Sequence, residues 1–373
     1  MEVISFLMPF LTAFYMLLVY GDELPWWAYI VVLVVTVLLV IFLRWRFMKH
    51  NMRDVEFVGS YVKGVYYYEP WNEWIVDIRQ EERPCGTDSD GRTIYKTVTV
   101  DYSHEEYHPE RWTMLDSYKG EITISYSYYE HLCSVWGTPR QFINMCRDYY
   151  TLDGDAYYSP WDMEEEHCVT HTHARRYDNR IQSSHSIFKY GNIGKKEAVD
   201  MGLYDYPDIQ YGEQQPVLGL EVPDEQLKSV KFTNGYYGLQ YSFRLFVLFF
   251  KGKDYEVSEQ QRAYWEGGNR NELVVCLGLD GDDKVRWCNA FSWSDNQMLN
   301  LAVRNYFLEH KDVDLKAFCL WLRPQLPTMW KPKNFDNDFK YVSIPLTIAQ
   351  QVSLLVFSIG ASIGILAIIL SLI

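Results

Sequence analysis

Both ends of the chain are long apolar runs, and this arrangement limits what the protein can fold into. Residues 3–20, 26–43 and 346–373 are almost entirely apolar, whereas the stretch between the second and third runs is polar. At about 1.5 Å of rise per residue, each run is long enough to cross a hydrocarbon core about 30 Å thick. The pattern predicts three transmembrane helices, a hairpin at 1–46 and a single span at 346–373, around one water-soluble body.

The first run predicts a retained helix and not a cleaved signal peptide. Only Glu2 precedes it, and no small-x-small cleavage pattern follows it. Bases cluster after the second run, whereas the connector 21–25 carries acids and no base. Because positive charge marks the cytoplasmic end of a membrane helix, we expect a multi-pass protein of the inner (cytoplasmic) membrane with its body in the cytoplasm. The bases are Arg44, Arg46, Lys49 and Arg53.

Charge and aromatic content narrow the classes of partner. The chain has 49 acidic and 35 basic residues, and an acidic body disfavours nucleic acid as a ligand. Its 30 Tyr and 13 Trp supply large contact areas, which favours protein partners or self-association beside the lipid bilayer. Seven cysteines at irregular spacing, without a CxxC pair, do not indicate a disulfide framework.

The body divides into three stretches by pattern. Residues 54–150 predict a β-rich part that contains a hairpin strand at 93–102 and ends in helices at 128–135 and 139–149. Residues 151–222 have little periodicity and predict irregular structure packed on the body. Residues 223–344 predict an α/β part.

Within the α/β part, apolar runs alternate with helical patterns. Strands are expected at 241–250, 272–278 and 285–293, and a capping box of Ser258 and Gln261 predicts a helix through 265. Strands that are apolar on both faces indicate a three-layer α/β arrangement. The fold class is therefore an α+β membrane protein. Three other helices are expected. One begins near 224, a second begins at Ser294 or Asp295, and a third spans 315–322.

Residues 241–325 resemble the TPM domain family of membrane-tethered proteins. The resemblance is carried by Trp265-x-Gly267-x-Asn269, the apolar strand 273–277, a turn, and a strand that begins Val285-Arg286. It departs where the family has a glycine-rich stretch, since residues 289–293 read Asn-Ala-Phe-Ser-Trp. The resemblance implies a phosphatase-like activity, as proposed for some members, or an accessory or assembly role, as for others. The whole chain also resembles uncharacterised membrane proteins of bacteria and phages.

One polar cluster indicates metal chemistry. On a helix, His167 and His171 would have the i, i+4 spacing of zinc ligands; on a strand, His171 and His173 would share a face and Cys168 would point away. Because the cluster lies in an acid-rich irregular stretch, a solvated loop without metal is the alternative. No cofactor is required by the sequence; zinc or another divalent cation is the candidate.

Four further patterns have a purely structural interpretation beside a functional one. Asp88-Ser89-Asp90-Gly91 has the start of a calcium loop but also suits a tight turn, and Ser183-Ser184-His185 lacks the context of a nucleophile. Gly360 and Gly364 form a GxxxG pattern that favours helix packing, on the hairpin or on a second copy. The Asp-rich candidates for a divalent cation are Asp205, Asp208, Asp280, Asp282 and Asp283.

These observations predict a membrane-anchored binding or assembly protein whose catalytic residues are unknown. The alternative is a membrane-bound metal-dependent hydrolase that uses the histidine cluster or the Asp-rich turns. A channel is disfavoured, since the three apolar runs carry no charged residue that could line a conduction path.

Overall fold

The structure is a computed structural model of the chain. It describes residues 2–21, 24–143, 155–161, 164–165, 168–182, 184, 190–210 and 212–372. The helices are α1 (Glu2–Tyr20), α2 (Trp26–Asn51), α3 (Tyr126–Trp136), α4 (Lys195–Met201), α5 (Asp224–Phe232), α6 (Gly238–Tyr241), α7 (Glu256–Tyr264), α8 (Met298–His310), α9 (Leu315–Leu322), α10 (Leu326–Met329), α11 (Phe335–Asp338) and α12 (Ile348–Leu372). A π-helical turn (Thr233–Tyr237) joins α5 to α6, and a 3-10 turn (Arg323–Gln325) joins α9 to α10.

The strands are short except for the first. They are β1 (Arg53–Tyr68), β2 (Trp71–Ile75), β3 (Ile78–Thr87), β4 (Thr93–Asp101), β5 (His104–His108), β6 (Arg111–Asp116), β7 (Gly120–Ile124), β8 (Gln141–Ile143), β9 (Ala156–Pro160), β10 (Thr170–Asp178), β11 (Ile209–Gln210), β12 (Glu213–Gln214), β13 (Val217–Leu218), β14 (Arg244–Lys251), β15 (Glu272–Leu279) and β16 (Val285–Ser292).

The terminal helices pack against one another. Helices α1, α2 and α12 are long and apolar enough to cross a membrane. Ser358 on α12 donates a 2.7 Å hydrogen bond to the carbonyl oxygen of Ser5 on α1. Asn51, at the end of α2, exchanges side-chain hydrogen bonds with Gln350 near the start of α12. These polar contacts fix the C-terminal helix against the N-terminal hairpin.

The β-rich part is organised around β1. Its sheet has the order β7-β6-β1-β9-β8, and β10 also pairs with β1. Residues 53–61 of β1 pair with β10, whereas residues 62–68 pair with β6 and β9. Only Met52 separates β1 from α2, so the strand leads directly away from an apolar helix. The side chains packed beneath this sheet include Val62, Val65, Met114, Leu132, Trp161 and Val169.

A two-part ribbon extends from the β-rich part. Strand β2 pairs with β5, and β3 pairs with β4, each antiparallel. Almost every side chain of β3 and β4 is exposed. The exposed large side chains of this ribbon include Trp74, Ile78, Ile94, Tyr95 and Tyr107.

The α/β part contains a four-stranded mixed sheet of order β13-β14-β15-β16, in which β15 and β16 are antiparallel and the other pairs are parallel. Alternate residues of β14 enter two different apolar clusters. Leu245, Val247 and Phe249 pack with residues of α8 and α9, whereas Phe246 and Leu248 pack with residues of α4 and α7. Both faces of this sheet are therefore covered.

Buried polar contacts join the two parts. The fully buried carboxylate of Glu56 on β1 accepts hydrogen bonds from Arg175 (2.6 Å) and from Arg270 (2.7 and 2.8 Å). Gly59 lies so close to the backbone of Asn234, in the π-helical turn, that a Cβ would overlap the Asn234 carbonyl oxygen. Glycine is required there for close approach of the two parts.

Most elements predicted in the α/β part are confirmed, with shifted bounds. Helix α9 begins and ends where expected, and β14, β15 and β16 are the three expected strands. The hairpin predicted at 93–102 is the β3–β4 pair, and α3 matches the helix predicted near 128–135. Helix α2 ends at Asn51, five residues after the predicted end of the transmembrane helical hairpin at 46.

Four expectations are wrong in the described residues. Gln141–Ile143 is a strand paired with β9, so the helix predicted at 139–149 does not begin there; residues 144–149 lie outside the description. Helix α7 already begins at Glu256, so Ser258 and Gln261 lie inside it and do not form a capping box. The Ser258 hydroxyl instead donates a hydrogen bond to the Tyr255 carbonyl oxygen.

The other two errors concern a boundary and a whole region. Helix α8 begins at Met298 and not at the predicted Ser294 or Asp295. Ser294 instead forms a β-bridge to Pro332, and its hydroxyl donates a hydrogen bond to the Lys331 carbonyl oxygen. The stretch 151–222 is not irregular throughout, since β9 and β10 belong to the sheet around β1. Sequence-distant pairing, which the local pattern does not encode, stabilises these strands.

Candidate metal centre

The site forms where β1 changes partners. His171 and His173 occupy alternate positions of β10, so both side chains point to one face of that strand. In the antiparallel registers, His171 lies opposite Ser60 and Asp116 lies opposite Val62. The end of β6 and the start of β10 therefore meet at the middle of β1, and a carboxylate from one strand reaches two imidazoles from another.

The three side chains lie at the mutual distances of metal ligands. His173 Nε2 is 3.1 Å from Asp116 Oδ1 and 3.3 Å from His171 Nδ1. One potential ligand atom from each residue lies within 4.8 Å of the other two. Ligands about 2.0–2.1 Å from a tetrahedral zinc ion lie about 3.3–3.4 Å apart. The two distances from His173 match that geometry, and the ligand atoms of His171 and Asp116 lie within 4.8 Å of each other. A hydrogen bond between His173 and Asp116 explains the 3.1 Å distance equally well.

Asp116 is held in place by donors on several sides. Its Oδ1 accepts 2.8 Å hydrogen bonds from the backbone N–H groups of Tyr118 and Lys119, and its Oδ2 accepts one of 2.6 Å from Ser60 Oγ. Burial raises the pKa of the Asp116 carboxyl, but the hydrogen bonds from His173, Ser60 and the two N–H groups outweigh burial and lower this pKa overall. Asp116 is therefore a buried, ionised and oriented carboxylate.

His171 connects this cluster to a cavity. Burial and the neighbouring His173 lower the pKa of His171 below its usual value, which keeps its imidazole neutral and able to bind a metal. The ring packs against Gly212, whose φ is +79° and whose Cβ, if present, would overlap His171 Nε2. The turn between β11 and β12 therefore fixes the ring position, and it does so only with glycine.

The cavity has a volume of about 1110 Å³ and lies between the β-rich part and the α/β part. His171 and Tyr128 are on its wall, with Glu213 and Lys231 forming a 2.5 Å ion pair nearby. The Tyr128 hydroxyl is buried and has no hydrogen-bond partner among the described residues. Burial, with Glu213 and Asp116 adding to it, raises the pKa of Tyr128 to about 12, so this phenol stays protonated.

The structure brings together only part of the predicted ligand set. His171 and His173 are joined, and the shared strand face is the geometry that unites them. Cys168 is described but is not in the cluster, and burial, with Glu213 and Glu165 nearby, raises the pKa of its thiol to about 12. His167 lies outside the described residues.

Asp116 is a candidate ligand that sequence analysis does not identify. Its position before Ser117 and Gly120 is typical of a turn, and it does accept hydrogen bonds from turn N–H groups. The only sequence signal is the strand pattern of 111–116, which places it at a strand end. Its approach to His173 follows from the pairing of β1 with both β6 and β10, and not from spacing along the chain.

The other predicted sites have structural explanations in the described residues. Asp88 Oδ1 accepts hydrogen bonds from the N–H groups of Asp90 and Arg92, and Asp280 Oδ1 does the same for Asp282 and Lys284. Both carboxylates therefore stabilise tight turns. Of the serine–histidine stretch, residues 183 and 185 lie outside the description. Asp205 and Asp208 lie on the cavity wall, and Asp283 pairs with Lys251.

Gly360 and Gly364 face away from the N-terminal hairpin. A Cβ at either position would meet no described atom within 4 Å, whereas Ser358 and Ser362 are fully buried. Ser358 makes the hydrogen bond to α1, and Ser362 donates to the Ser358 carbonyl oxygen within α12. Packing of the two glycines against a second copy stays a prediction.

Comparison of the chain with protein-family models, curated proteins and solved structures finds no match.

Proposed function

We propose that this chain is a membrane-anchored zinc-dependent hydrolase. The observation that carries the proposal is the grouping of one Asp116 oxygen and one nitrogen from each of His171 and His173 within 4.8 Å of one another, with His171 on the wall of a large cavity. Two imidazoles and one carboxylate are a ligand set found in catalytic zinc sites. Calcium and magnesium prefer all-oxygen sites, so nitrogen donors favour zinc.

A catalytic zinc ion keeps one position for water and lowers the pKa of that water to about 7. Here three protein ligands would leave the fourth position on the cavity side, where His171 is. Ser60, Tyr118 and Lys119 orient the Asp116 carboxylate, as outer hydrogen bonds do in metal sites. Glu213 lines the same cavity as His171 and is our candidate general base.

Ester hydrolysis by the purified full-length chain tests the proposal. We expect the zinc-loaded protein to hydrolyse p-nitrophenyl acetate faster than the same protein after chelation, with zinc restoring the rate. His173→Ala should abolish the zinc-dependent rate, and His310→Ala, an exposed histidine on α8, should leave it unchanged. A rate that is indifferent to zinc and to His173→Ala would refute the hydrolase.

An assembly role is a second candidate, and the exposed ribbon favours it. Strands β2 to β5 present large side chains, among them Trp74 at 54 % exposure and Tyr107 at 61 %. Exposed aromatic side chains of this kind are enriched at protein interfaces. A photo-crosslinking amino acid at Tyr95 or Tyr107 should form discrete adducts in membranes, whereas the same group at exposed Tyr255 should not. Equal adducts at all three positions would remove this candidate.

Membrane anchoring is part of the proposal. Trp26 and Trp45 are exposed near opposite ends of α2, about 28 Å apart at 1.5 Å per residue, as expected of tryptophans at the two interfaces. The body then lies on the cytoplasmic side of the inner membrane, with residues 223–344 as a TPM-like three-layer domain. A membrane-impermeant maleimide should label Cys85 in inverted vesicles and not in intact cells. Labelling in intact cells would reverse the orientation.

A further inference from the structure

The cavity wall carries more negative than positive charge. Its described lining residues include Asp205, Asp208 and Glu213, with Lys231 as the only lysine or arginine among them. Lys231 is already paired with Glu213 at 2.5 Å. Asp205 accepts a hydrogen bond from Tyr264 but lies exposed, as does Asp208. An anionic ligand would therefore meet two or three carboxylates without a free cation from the described wall.

A buried acceptor lies on the same wall. Gln214 is only 4 % exposed, and its Nε2 donates to the carbonyl oxygen of Pro207. Its Oε1 has no hydrogen-bond partner among the residues that the structure describes. Leaving such an oxygen unpaired costs about 1–3 kcal/mol, which an N–H donor from a ligand would recover. Gln214 Oε1 therefore needs a hydrogen-bond donor from the ligand. Carboxylates and phosphates at neutral pH have few or no donors.

Apolar side chains form the remaining wall. Met114, Ile122, Ile124, Val169 and Leu218 line the same cavity as Asp205, Asp208 and His171. A ligand that fits has an apolar stem, N–H donors and positive charge. A lysine or arginine side chain on a polypeptide combines all three, since its methylene stem packs on apolar surface while its head group donates hydrogen bonds to carboxylates.

We propose that the substrate class of this site is a basic peptide, held by its cationic side chain at Asp205 and Asp208 and by a backbone N–H at Gln214. This inference rests on the proposed hydrolase. Hydrolysis would add water across a peptide C–N bond: the hydroxyl goes to the carbonyl carbon, the bond breaks, and a proton goes to the leaving amine nitrogen. For a phosphate monoester, the substrate that the TPM resemblance implies, the described wall residues supply no unpaired cation, so only the zinc ion would attract it.

Binding to the full-length chain in detergent, with and without zinc, tests the inference. The probes are a blocked pentapeptide with central lysine, the same peptide with central glutamate, spermidine and inorganic phosphate. We expect the lysine peptide to bind at least about ten-fold more tightly than the glutamate peptide, a difference of about 1.4 kcal/mol. Asp205→Asn with Asp208→Asn should reduce this preference to about two-fold or less, with zinc stoichiometry and Tm unchanged.

Two further variants protect the test from misfolding. Asp208→Asn alone leaves the Asp205–Tyr264 bond intact and should lose part of the preference. Asp224→Asn, an exposed acid on α5 that pairs with Lys228, should lose none. Equal binding of both peptides, tighter binding of phosphate, or binding of spermidine without the lysine peptide would each overturn the inference.

The two proposals fail separately. Stoichiometric zinc with no preference for the lysine peptide would retain the metal site and reject the substrate class. A lysine preference in a protein that binds no zinc would reject the hydrolase and retain the cationic ligand, since Asp205 and Asp208 are not metal ligands.

Discussion

Ser60 Oγ, on β1, donates a 2.6 Å hydrogen bond to Asp116 Oδ2, at the end of β6, although 56 residues separate them in the chain. Ser60 is also opposite His171 in the register of β1 with β10. One serine therefore lies between the two strands that supply the candidate ligands. The long strand that follows α2 is the scaffold of the site.

Replacement of Ser60 by alanine should weaken both fold and metal site. Asp116 would lose one of its donors inside the protein, so we expect the free energy of unfolding to fall by about 1–3 kcal/mol. Zinc affinity should fall about ten-fold or more, as for other outer hydrogen bonds of metal ligands. Thermal unfolding and zinc titration measure these effects. Ser134→Ala, on the exposed side of α3, is the control and should change neither quantity.

Gly212→Ala should displace His171 without altering any ligand. The new Cβ would overlap the His171 ring, and the residue would be strained at a φ of +79°. Zinc affinity should therefore fall, by about ten-fold or more if the ring moves off its ligand position. Gly86→Ala is a matched control, because a Cβ there meets no described atom within 4 Å. If both variants bind zinc like the parent, His171 is not held by this turn.

Glu56→Gln should be strongly destabilising. Glu56 is fully buried between Arg175 and Arg270, and removal of its charge would leave both guanidinium groups without their counter-ion. Loss of one member of a buried ion pair costs about 3–5 kcal/mol. Asp312→Asn breaks the exposed pair with Lys284 and should change stability little, because solvent screens the two charges. Equal losses of Tm in the two variants would contradict this difference.

The ion pair of Glu165 with Arg323 should make stability depend on acid pH. Hydrogen bonds from Arg323 lower the pKa of Glu165, although burial opposes this shift. An acid with a lowered folded pKa stabilises the fold above its unfolded pKa, near 4.3, and loses that contribution as pH falls through the folded pKa. The Tm difference between the parent and Glu165→Gln should therefore be largest near neutral pH, shrink as pH falls below about 4.3, and vanish only below the lowered folded pKa of Glu165. Glu309→Gln, on the exposed side of α8, is the control for loss of a surface acid. If the Tm difference between the parent and Glu165→Gln did not depend on pH, the role of the Glu165–Arg323 pair would be contradicted.

Local patterns predict the apolar helices and the α/β strands well. The run 273–277 is apolar throughout and 315–322 is apolar except for Lys316, and the structure places them in β15 and α9. Burial on both faces leaves a signal that sequence can reveal. The cap of α9 is also local, since the Asp314 side chain accepts from the N–H of Ala317.

Elements that depend on distant pairing are not predictable in this way. Gln141–Ile143 follows a helix and has helical flanks by pattern, yet it pairs with Ala156–Tyr158 and becomes a strand. The candidate metal site likewise has a part that sequence spacing predicts and a part that it does not. His171 and His173 are joined by their spacing on one strand, whereas Asp116 reaches them only because β6 and β10 share β1.

Zinc content of the purified full-length protein tests the central claim most directly. We predict about one zinc ion per chain after dialysis, a tetrahedral spectrum when cobalt replaces it, and loss of both in His171→Ala with His173→Ala and in Asp116→Asn. His108→Ala, which removes a ribbon histidine paired with Glu73, should retain the metal. A folded parent protein that binds no zinc or cobalt, or that binds it equally after loss of His171 and His173, would contradict the metal centre.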